Sequence, residues 1–504
     1  MAASSWALDM GPFLPVKLTL RCPIAAGRVW HNATCQTRSA AKDVSCCDDW
    51  TGTIDISPSP CKGQPVQHRP SDRAITHNPT GAFPAPVLLR LWRGLGGGLP
   101  GAFKPLGCLV HARQGAAPER RKERFGLPTA SRPEGRIIWI HGASLGEVSQ
   151  LRTLVPALER DFGATVVITT MTQTGADWVA GQLPDAIHQF QPMDTPRYWD
   201  LFFDYWRPDV GLVVENDLWP TMLSTAAKRG VPMMVLNARA SRSMLRHPRV
   251  YRHLLGHLSA IHCRNEAVAG QFDLLGVGRD KMLVGGDLKA FGGALPLRDD
   301  EVAALQGMIG ARKTWIAAST HPADEPVVLK AAGHLKRSES PLLVWAPRHP
   351  KRAAQIIEAA EAAGLTVAQR SRGQAIDAST DIYLADTTGE MGTIFALSDI
   401  VFLGGGFGPE GGHNPYEPAR EGKAVLSGPG VRHFAEAFDL LTDAGGAAYV
   451  HDAPELAESV LALLKDEQAR RAGQAGQQVI SAMPNPIDGI IDMIQTVALQ
   501  KKAQ

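Results

Sequence analysis

Residues 400–417 read IVFLGGGFGPEGGHNPYE. Four apolar residues typical of a buried strand are followed by six glycines and then by a His-Asn-Pro-Tyr-Glu run. Glycine lets the backbone approach a ligand closely, and the polar side chains beyond it can contact what is bound. The stretch therefore predicts a strand that ends in a binding loop. The alternative is a glycine-rich turn without a ligand.

The same loop contains the pattern G-x-G-x-x-G between Gly406 and Gly411, which in dinucleotide-binding proteins opens a helix. Pro409 interrupts the pattern here, and the next apolar run, residues 424–426, is followed by Ser427. A dinucleotide site needs an acidic residue at that point to bind the ribose. We therefore do not predict an NAD site.

The composition is that of a globular protein. Of the 504 residues, 44% are hydrophobic and 20% are charged, and this length allows two or three domains. The net charge of only +2 argues against a dedicated nucleic-acid-binding protein, which needs a concentrated basic surface. Five of the seven cysteines lie within the first 61 residues, which predicts that the rest of the chain folds in a reducing compartment.

The N-terminal part has a different character. Residues 1–84 are rich in Pro, Ser and Thr and lack a helix or strand period, which predicts a disordered extension or sequence upstream of the true start. Residues 85–125 are basic, with eight Lys/Arg and two Glu. Their apolar part, residues 87–99, is shorter than the roughly 20 residues that cross a bilayer. This segment is predicted to lie on an anionic membrane surface, or else to cap the next domain as a solvated helix.

Beyond Gly135, short β-branched runs alternate with helical stretches, which is typical of parallel βαβ units. We predict an α/β protein of two Rossmann-like domains, residues 126–292 and 293–504, that face a cleft, with a linker at residues 285–300 and the terminal helices in the second domain. The predicted strands are residues 136–140, 165–170, 188–192, 210–214 and 233–236, then 315–318, 342–345, 381–384, 400–403 and 424–426.

Such sheets bind ligands at the carboxyl ends of their strands, and polar residues follow these strands here. Glu147 lies at a helix start after the first strand, where it could take a proton from a substrate hydroxyl or merely complement the helix dipole. Glu215 ends an apolar strand, which favours a site role over a structural one. The other candidates in the first half are Ser144, Gly146, Asn237 and Arg239.

The second half offers groups that could bind an anion. Arg348 and His349 precede a position where a helix can begin, which suits a phosphate, although a solvent-facing turn is the alternative. Backbone amides of residues 389–392 open another helix. There is no Walker motif, C-x-x-C, H-E-x-x-H or Asp-x-Asp, so we predict neither ATP hydrolysis nor a metal site. A single phosphate could be stabilised by Arg348 and helix amides alone.

Nine stretches, taken in order, resemble the bacterial 3-deoxy-D-manno-octulosonic acid (Kdo) transferases, which have the two-Rossmann-domain GT-B glycosyltransferase fold. The resemblance extends roughly from residue 86 to the C-terminus. The stretches are HGASLGEV (141–148), TTMTQTGA (169–176), ENDLWP (215–220), LNARAS (236–241), GGDLKAF (285–291), ASTH (318–321), APRHP (346–350), DTTGEMG (386–392) and GGHNPYEPA (411–419).

The resemblance implies transfer of Kdo from CMP-Kdo to the lipid A precursor lipid IVA at the cytoplasmic face of the bacterial inner membrane, without a metal or other cofactor. Glu147 would be the general base and Glu215 a second essential carboxylate. Family members usually have a clearer hydrophobic anchor than residues 87–99, and Asp217 stands where Glu is usual. The residues implied to hold CMP are Ser319, His321, Arg348, His349, Gly389, Glu390, Met391, Gly392, Gly412, His413, Asn414 and Glu417.

Other functions remain open on the sequence. A related glycosyltransferase or a sugar-nucleotide epimerase with a soluble substrate would have the same two-lobed fold. A two-lobed binding protein would predict an export signal and no catalytic carboxylate, and neither fits well. An NAD-dependent dehydrogenase would require the dinucleotide site that the glycine-rich loop does not provide.

Overall fold

The computed structural model describes Pro86, Leu89, Arg90, Trp92, Gly94 and residues 103–503. The prediction for residues 1–84 lies outside this part of the chain. The first sheet consists of β1 (Ile137–His141), β2 (Thr165–Thr170), β3 (Ile187–Phe190), β4 (Val210–Val214), β5 (Met233–Ala238), β6 (Leu258–Cys263) and β7 (Met282–Val284). The second consists of β8 (Thr314–Thr320), β9 (Leu342–Pro347), β10 (Val367–Gln369), β11 (Ile382–Leu384), β12 (Ile400–Leu403), β13 (Ala424–Ser427) and β14 (Ala447–Tyr449).

Both sheets are parallel, with the strand orders β3-β2-β1-β4-β5-β6-β7 and β10-β11-β9-β8-β12-β13-β14. In each sheet the chain starts in the middle, builds one side and then crosses to the other. The crossing points lie between β1 and β4 and between β8 and β12, where a crevice opens at the carboxyl ends of the strands. The glycine-rich loop after β12 is therefore placed at one of these crevices.

Helices connect the strands on both faces of each sheet. They are α1 (Phe103–Arg113), α2 (Leu145–Val148), α3 (Leu154–Phe162), α4 (Gln173–Gln182), α5 (Pro196–Trp206), α6 (Pro220–Lys228), α7 (Arg242–Arg246), α8 (Pro248–Leu255) and α9 (Glu266–Leu274) in the first half. In the second half they are α10 (Asp299–Ile309), α11 (Glu325–Lys336), α12 (Ala353–Ala362), α13 (Met391–Phe395), α14 (Tyr416–Arg420), α15 (Ala435–Asp443), α16 (Ala453–Leu463), α17 (Gln468–Ala482) and α18 (Pro486–Ala503). Because helices cover both faces, strands such as β1, β4 and β5 are buried along their whole length.

All ten predicted strands are present, and their ends agree within two residues. The strands β6, β7, β10 and β14 were not predicted. Three of them are edge strands of only three residues, so they bury too little apolar surface to give a clear pattern. The β6 sequence mixes Ser and His with apolar residues, which hides its period.

Two expectations about the domain organisation differ from the structure, although residues 285–300 do connect the two sheets. The terminal helices were assigned to the second domain, but Ile490 and Ile494 of α18 are buried in the same apolar cluster as Ile138 and Ile140 of β1. The chain therefore returns to the first domain at its end. The linker at residues 285–300 was expected to offer few apolar contacts, yet Leu288 within it is fully buried.

The described residues of the segment 85–125 pack against the first domain. Leu89 is 6% exposed and belongs to the core cluster that contains Trp199. The indole Nε1 of Trp92 donates a hydrogen bond to the Asp194 carboxylate, 2.9 Å away. These contacts favour the capping alternative for this part of the segment. Among the described residues, none of the helices combines the length and the apolar character needed to span a bilayer.

Candidate functional site in the cleft

Glu147 lies in the short helix α2, beside the crossing point of the first sheet. Its side chain is half-buried and turns back toward β1, where the Ala143 amide donates to its Oε2 at 2.5 Å. The hydroxyl of Ser144 lies 3.5 Å from the other oxygen, Oε1. Gly146 is exposed at the same helix start. The predicted residues 144, 146 and 147 therefore share one corner of the cleft.

The pKa of the Glu147 carboxyl lies close to neutral pH. Burial raises its pKa to about 8, and the negative charges of Glu215 and Asp217 act in the same direction. The Ala143 amide and Lys289 oppose this increase. A carboxylate whose pKa lies near neutral pH is a stronger base than an ordinary surface glutamate, as a general base requires.

Glu215 has the opposite environment. Burial alone would raise its pKa, but the charge of Lys289, hydrogen bonds from Lys289 and Gln150, and the charge of Arg239 together lower the pKa below its usual range. The Lys289 Nζ lies 2.7 Å from Oε1 of Glu215, and the Gln150 amide donates to the same oxygen at 3.0 Å. Two carboxylates in one cleft are thus held in different protonation states, which is the arrangement expected for an acid–base site.

A pH profile of the transfer that the resemblance implies tests the role of Glu147 as general base. Because only the ionised Glu147 can accept a proton, kcat/KM should rise about tenfold per pH unit below pH about 8 and level off above it. In Lys289→Met the midpoint should move to higher pH, since Lys289 lowers the Glu147 pKa. A wild-type profile that is flat between about pH 6 and 8 would contradict the assignment.

Asn237 and Arg239 follow β5 but have different environments. Asn237 is buried, and its Nδ2 donates to Gln150 and to Asp287, each at 2.9 Å. It therefore orients Gln150 beneath Glu215 and does not reach the open cleft. Arg239 crosses to the second domain, where its Nη2 lies 3.1 Å from Nδ1 of His433.

Three strand-end residues at the crevices have left-handed backbone angles. The φ values are 62° for Glu215, 52° for Asn237 and 54° for Ser319. Residues other than glycine adopt such angles at a cost of about 1–3 kcal/mol, and functional sites are where this strain is usually found. The three positions are therefore further support for a site at these strand ends.

The glycine-rich loop packs against its own domain. A Cβ added at Gly404 would lie 2.6 Å from the Cα of Thr320, so only glycine fits there. Asp324, which is fully buried, accepts hydrogen bonds from the amides of Gly405 at 2.7 Å and Phe407 at 3.2 Å. Both amides are therefore occupied, although the glycine content predicted backbone that a ligand could approach. Part of the glycine content therefore serves packing, as the alternative interpretation proposed.

Polar side chains project from the far end of this loop and from the neighbouring strand ends. The Nε2 atoms of His321 and His413 are 2.9 Å apart and the two rings stack, while His349 meets His321 edge-on. Burial lowers the pKa of His413 to about 3, with further effects from His321, Arg348 and His349, so this ring is neutral at pH 7. Arg348 itself is exposed. The cluster leaves the Arg348 guanidinium near the neutral His413 ring, which suits an anion.

Asn414 and Glu417 lie where the two domains meet. The Asn414 amide is 3.5 Å from the Glu417 carboxylate, whose pKa is raised by burial. Both residues line a small cavity together with Gln150 and Lys289 from the first half of the chain. Gly412, just before them, has φ of 84° and packs against Val431, which explains the glycine. The candidates from both halves therefore meet in one cleft.

The turn at residues 389–392 is partly structural. The Glu390 carboxylate pairs with Arg370, 2.7 Å away, and with Arg298. These bonds, above all that from Arg370, lower the Glu390 pKa to about 2. Met391 packs against the core of the second domain. The backbone of Gly389 stays a predicted ligand contact because a Cβ there would meet nothing within 4 Å, whereas Gly392 is buried against Pro296.

The sequence analysis missed several residues of the site. Lys289 lay in the presumed linker, and Gln150 and Asp324 are single polar residues within helical stretches without a distinctive motif. One feature of the sequence could have identified Lys289, because it belongs to the stretch GGDLKAF that resembles the family. Within residues 103–503 and the five positions before them, no three His, Cys, Asp or Glu side chains are grouped so that they could hold a metal ion.

Comparisons with known proteins agree with this geometry. The family described as 3-deoxy-D-manno-octulosonic-acid transferase (kdotransferase) matches residues 119–291. A 3-deoxy-D-manno-octulosonic acid transferase of Haemophilus influenzae is 30% identical, over 75% of this chain and 91% of that protein. One of Bordetella pertussis is 32% identical, over 69% of this chain and 85% of that protein.

A solved glycosyltransferase from Rickettsia africae superposes with a TM-score of 0.50 at 12% identity, covering 72% of this chain and 99% of that one. The likeness confirms the predicted two-domain GT-B fold. The family match and the two relatives at 30% and 32% identity lead to one conclusion: the chain belongs to the 3-deoxy-D-manno-octulosonic acid transferase family.

Proposed function

We propose that the protein transfers Kdo from CMP-Kdo to the lipid A precursor lipid IVA in lipopolysaccharide synthesis, at the cytoplasmic face of the inner membrane. The observation that carries this proposal is the meeting of both halves of the chain in one cleft, where Lys289 pairs with Glu215 at 2.7 Å and lines the same cavity as Asn414 and Glu417. The opposite pKa shifts of Glu147 and Glu215 in that cleft support it. On the second domain, Arg348 lies near His413, whose pKa is lowered to about 3 by burial. The proposal involves no metal ion or other cofactor.

In the proposed reaction, Glu147 takes the proton from an acceptor hydroxyl while the oxygen of that hydroxyl attacks the anomeric carbon of Kdo. The bond between that carbon and the phosphate oxygen breaks, and its electron pair leaves with CMP. Arg348 stabilises the charge that develops on the phosphate. Glu215, held ionised by Lys289, keeps Glu147 basic through its negative charge. Asn414 and Glu417 bind the ribose hydroxyls.

Release of CMP with different acceptors tests the reaction. We expect CMP to be released from CMP-Kdo when lipid IVA is supplied. When only water-soluble sugars are present, CMP-Kdo should stay intact. Equal release with soluble acceptors would favour a related glycosyltransferase. Conversion of a sugar nucleotide without any acceptor would favour an epimerase.

Arg348 is expected to bind the CMP phosphate. Because a hydrogen bond to a charged group contributes about 1.5–3 kcal/mol, Arg348→Ala should weaken CMP binding roughly 10- to 100-fold in a calorimetric titration. The control is Lys351→Ala, which removes an exposed positive charge three residues further along the chain. If both variants weaken CMP binding equally, Arg348 acts only through general charge and the assignment is wrong.

A further inference from the structure

A series of polar contacts runs from the core of the first sheet to the cleft. His141, the last residue of β1, is fully buried. Its Nε2 lies 2.7 Å from Oδ2 of Asp217, which follows β4 and has a side chain that is 25% exposed. Its Nδ1 lies 2.9 Å from the hydroxyl oxygen of Thr169, and that oxygen accepts the indole N–H of Trp139 at 2.9 Å. These four residues therefore form one hydrogen-bonded series.

The hydrogen-bonding capacity of each group fixes the direction of the series. The indole nitrogen of Trp139 can only donate, so the Thr169 hydroxyl accepts from it and has its own hydrogen left for Nδ1 of His141. The Thr169 carbonyl, 3.1 Å from Nδ1, already accepts the Gly142 amide. A ring that accepts at Nδ1 is neutral and carries its hydrogen on Nε2, which faces the Asp217 carboxylate. Every group in the series therefore donates toward the cleft.

Asp217 and Glu147 are held at the same end of β1. Glu147 accepts the amide of Ala143, two residues beyond His141 in the sequence. Asp217 accepts the N–H of the His141 ring itself. One short segment, residues 141–143, thereby anchors both carboxylates.

Three charged side chains act on Glu147, namely Glu215, Asp217 and Lys289. Glu215 and Lys289 pair with each other at 2.7 Å, so their charges act on Glu147 in opposite directions. Within residues 103–503, Asp217 pairs with His141 and with no lysine or arginine. Burial is the main cause of the raised pKa of Glu147, and the charge of Asp217 adds to it. Asp217 is therefore a negative charge beside the base that no neighbouring cation neutralises.

We propose that the series positions Asp217 as a fixed negative charge beside Glu147, which makes Glu147 a better proton acceptor. Asp217, His141 and Thr169 are then positioning residues for the general base, and none of them needs to touch the substrate. The inference rests on the proposed function in taking Glu147 as the base. The competing interpretation is a purely structural tie between β1 and the loop after β4, which predicts no effect on the titration of Glu147.

Titration of Glu147 by ¹³C NMR tests the proposal without any turnover. The full chain is labelled at the side-chain carboxyl carbon of glutamate, and the Glu147 signal is the one absent from Glu147→Gln. The wild-type midpoint should lie at pH about 8. Asp217→Asn keeps an oxygen for the His141 N–H but removes the charge, so its midpoint should fall by on the order of one pH unit. Asp217→Glu keeps the charge and should stay closer to the wild-type midpoint.

Thr169→Val tests the buried end of the series. Without the hydroxyl, Nδ1 of His141 has only the carbonyl of residue 169 as a partner and must donate to it. Nε2 then either loses its hydrogen and repels Asp217, or keeps it on a cationic ring. Both results make the surroundings of Glu147 less negative, so the midpoint should fall in the same direction as in Asp217→Asn. Thr169→Ser keeps the hydroxyl and should restore the wild-type midpoint.

The control for charge is Asp185→Asn. Asp185 is exposed and precedes β3, at the opposite edge of the sheet from the cleft, so its midpoint should stay within about 0.2 pH unit of wild type. Circular dichroism and thermal unfolding check that each variant folds. Equal midpoints in Asp217→Asn and Asp185→Asn would overturn the role of Asp217. A wild-type midpoint in folded Thr169→Val would overturn the role of the series.

The tautomer of His141 can be measured in the wild-type protein, so the test does not depend on the folding of Thr169→Val. In ¹⁵N NMR spectra of histidine-labelled protein, the His141 ring is identified by the signals that change in Asp217→Asn. We expect the hydrogen on Nε2 and none on Nδ1. A neutral ring with its hydrogen on Nδ1 would overturn the direction of the series.

Transfer assays separate this inference from the proposed reaction. With CMP-Kdo and lipid IVA, the midpoint of kcat/KM should move together with the NMR midpoint. Turnover of Asp217→Asn at high pH should fall by no more than about tenfold, since a base weakened by one pH unit loses at most that factor. If the NMR midpoint falls in Asp217→Asn but the wild-type protein transfers no Kdo, the proposed reaction is wrong and the positioning of Asp217 stands. If transfer occurs and the NMR midpoint does not move, the reaction stands and this inference is wrong.

Discussion

Glu147→Gln is expected to reduce turnover by a factor of about 10² to 10⁴, the usual contribution of a general base. Glutamine keeps an oxygen that can accept the Ala143 amide hydrogen, so the start of α2 should remain in place. It cannot accept a proton from the acceptor hydroxyl. The initial rate of CMP release with CMP-Kdo and lipid IVA measures the loss.

Binding data separate this role from a structural one. CMP should bind to Glu147→Gln as tightly as to the wild-type protein, because the proposed CMP contacts lie on the second domain. The control is Glu134→Gln, which removes an exposed glutamate of the first domain and should leave turnover unchanged. A Glu147→Gln protein with most of its activity would show that another group is the base.

Asp324→Asn is expected to have the largest effect on stability. The fully buried carboxylate accepts three backbone amides, from His321 at 2.8 Å and from Gly405 and Phe407. An amide group has only one oxygen, so at least one N–H donor would face the NH₂ group of asparagine. With hydrogen bonds to a charged acceptor at about 1.5–3 kcal/mol each, we expect a loss of about 3 kcal/mol in the free energy of unfolding.

Urea unfolding measures this loss, and calorimetry should show weaker CMP binding as well, because the same carboxylate fixes the loop that leads to His413 and Asn414. Asp443→Asn is the control, since Asp443 is exposed at the end of α15. If Asp324→Asn unfolded at the wild-type urea concentration, the loop would be held by its glycine packing and not by the carboxylate.

The sequence was sufficient for the fold because parallel strands buried on both faces are nearly continuous apolar runs. Val210–Val214 and Ile400–Leu403 were predicted with their observed ends for this reason. The three-residue edge strands were missed because a short strand with one neighbour buries few side chains. Its sequence therefore contains too few apolar residues to show a pattern. The final helix was placed in the wrong domain because its apolar residues do not identify the sheet they pack against.

Candidate site residues could be named from the sequence where a residue follows a strand. Glu147, Glu215 and Arg348 were proposed from that rule, and they stay predictions. Lys289 and Gln150 were not proposed, because their importance depends on side chains that approach Glu215 from distant parts of the chain. In the glycine-rich loop the composition predicted too much. It indicated backbone that a ligand could approach, but the fold shows that Asp324 accepts hydrogen bonds from two of the amides.

The most direct test of the central claim is the mass of the lipid product. Lipid IVA incubated with CMP-Kdo and the wild-type protein should gain the mass of one or more whole Kdo residues, and none with Glu147→Gln in the same time. A lipid of unchanged mass after incubation with folded, CMP-binding wild-type protein would contradict the proposed reaction.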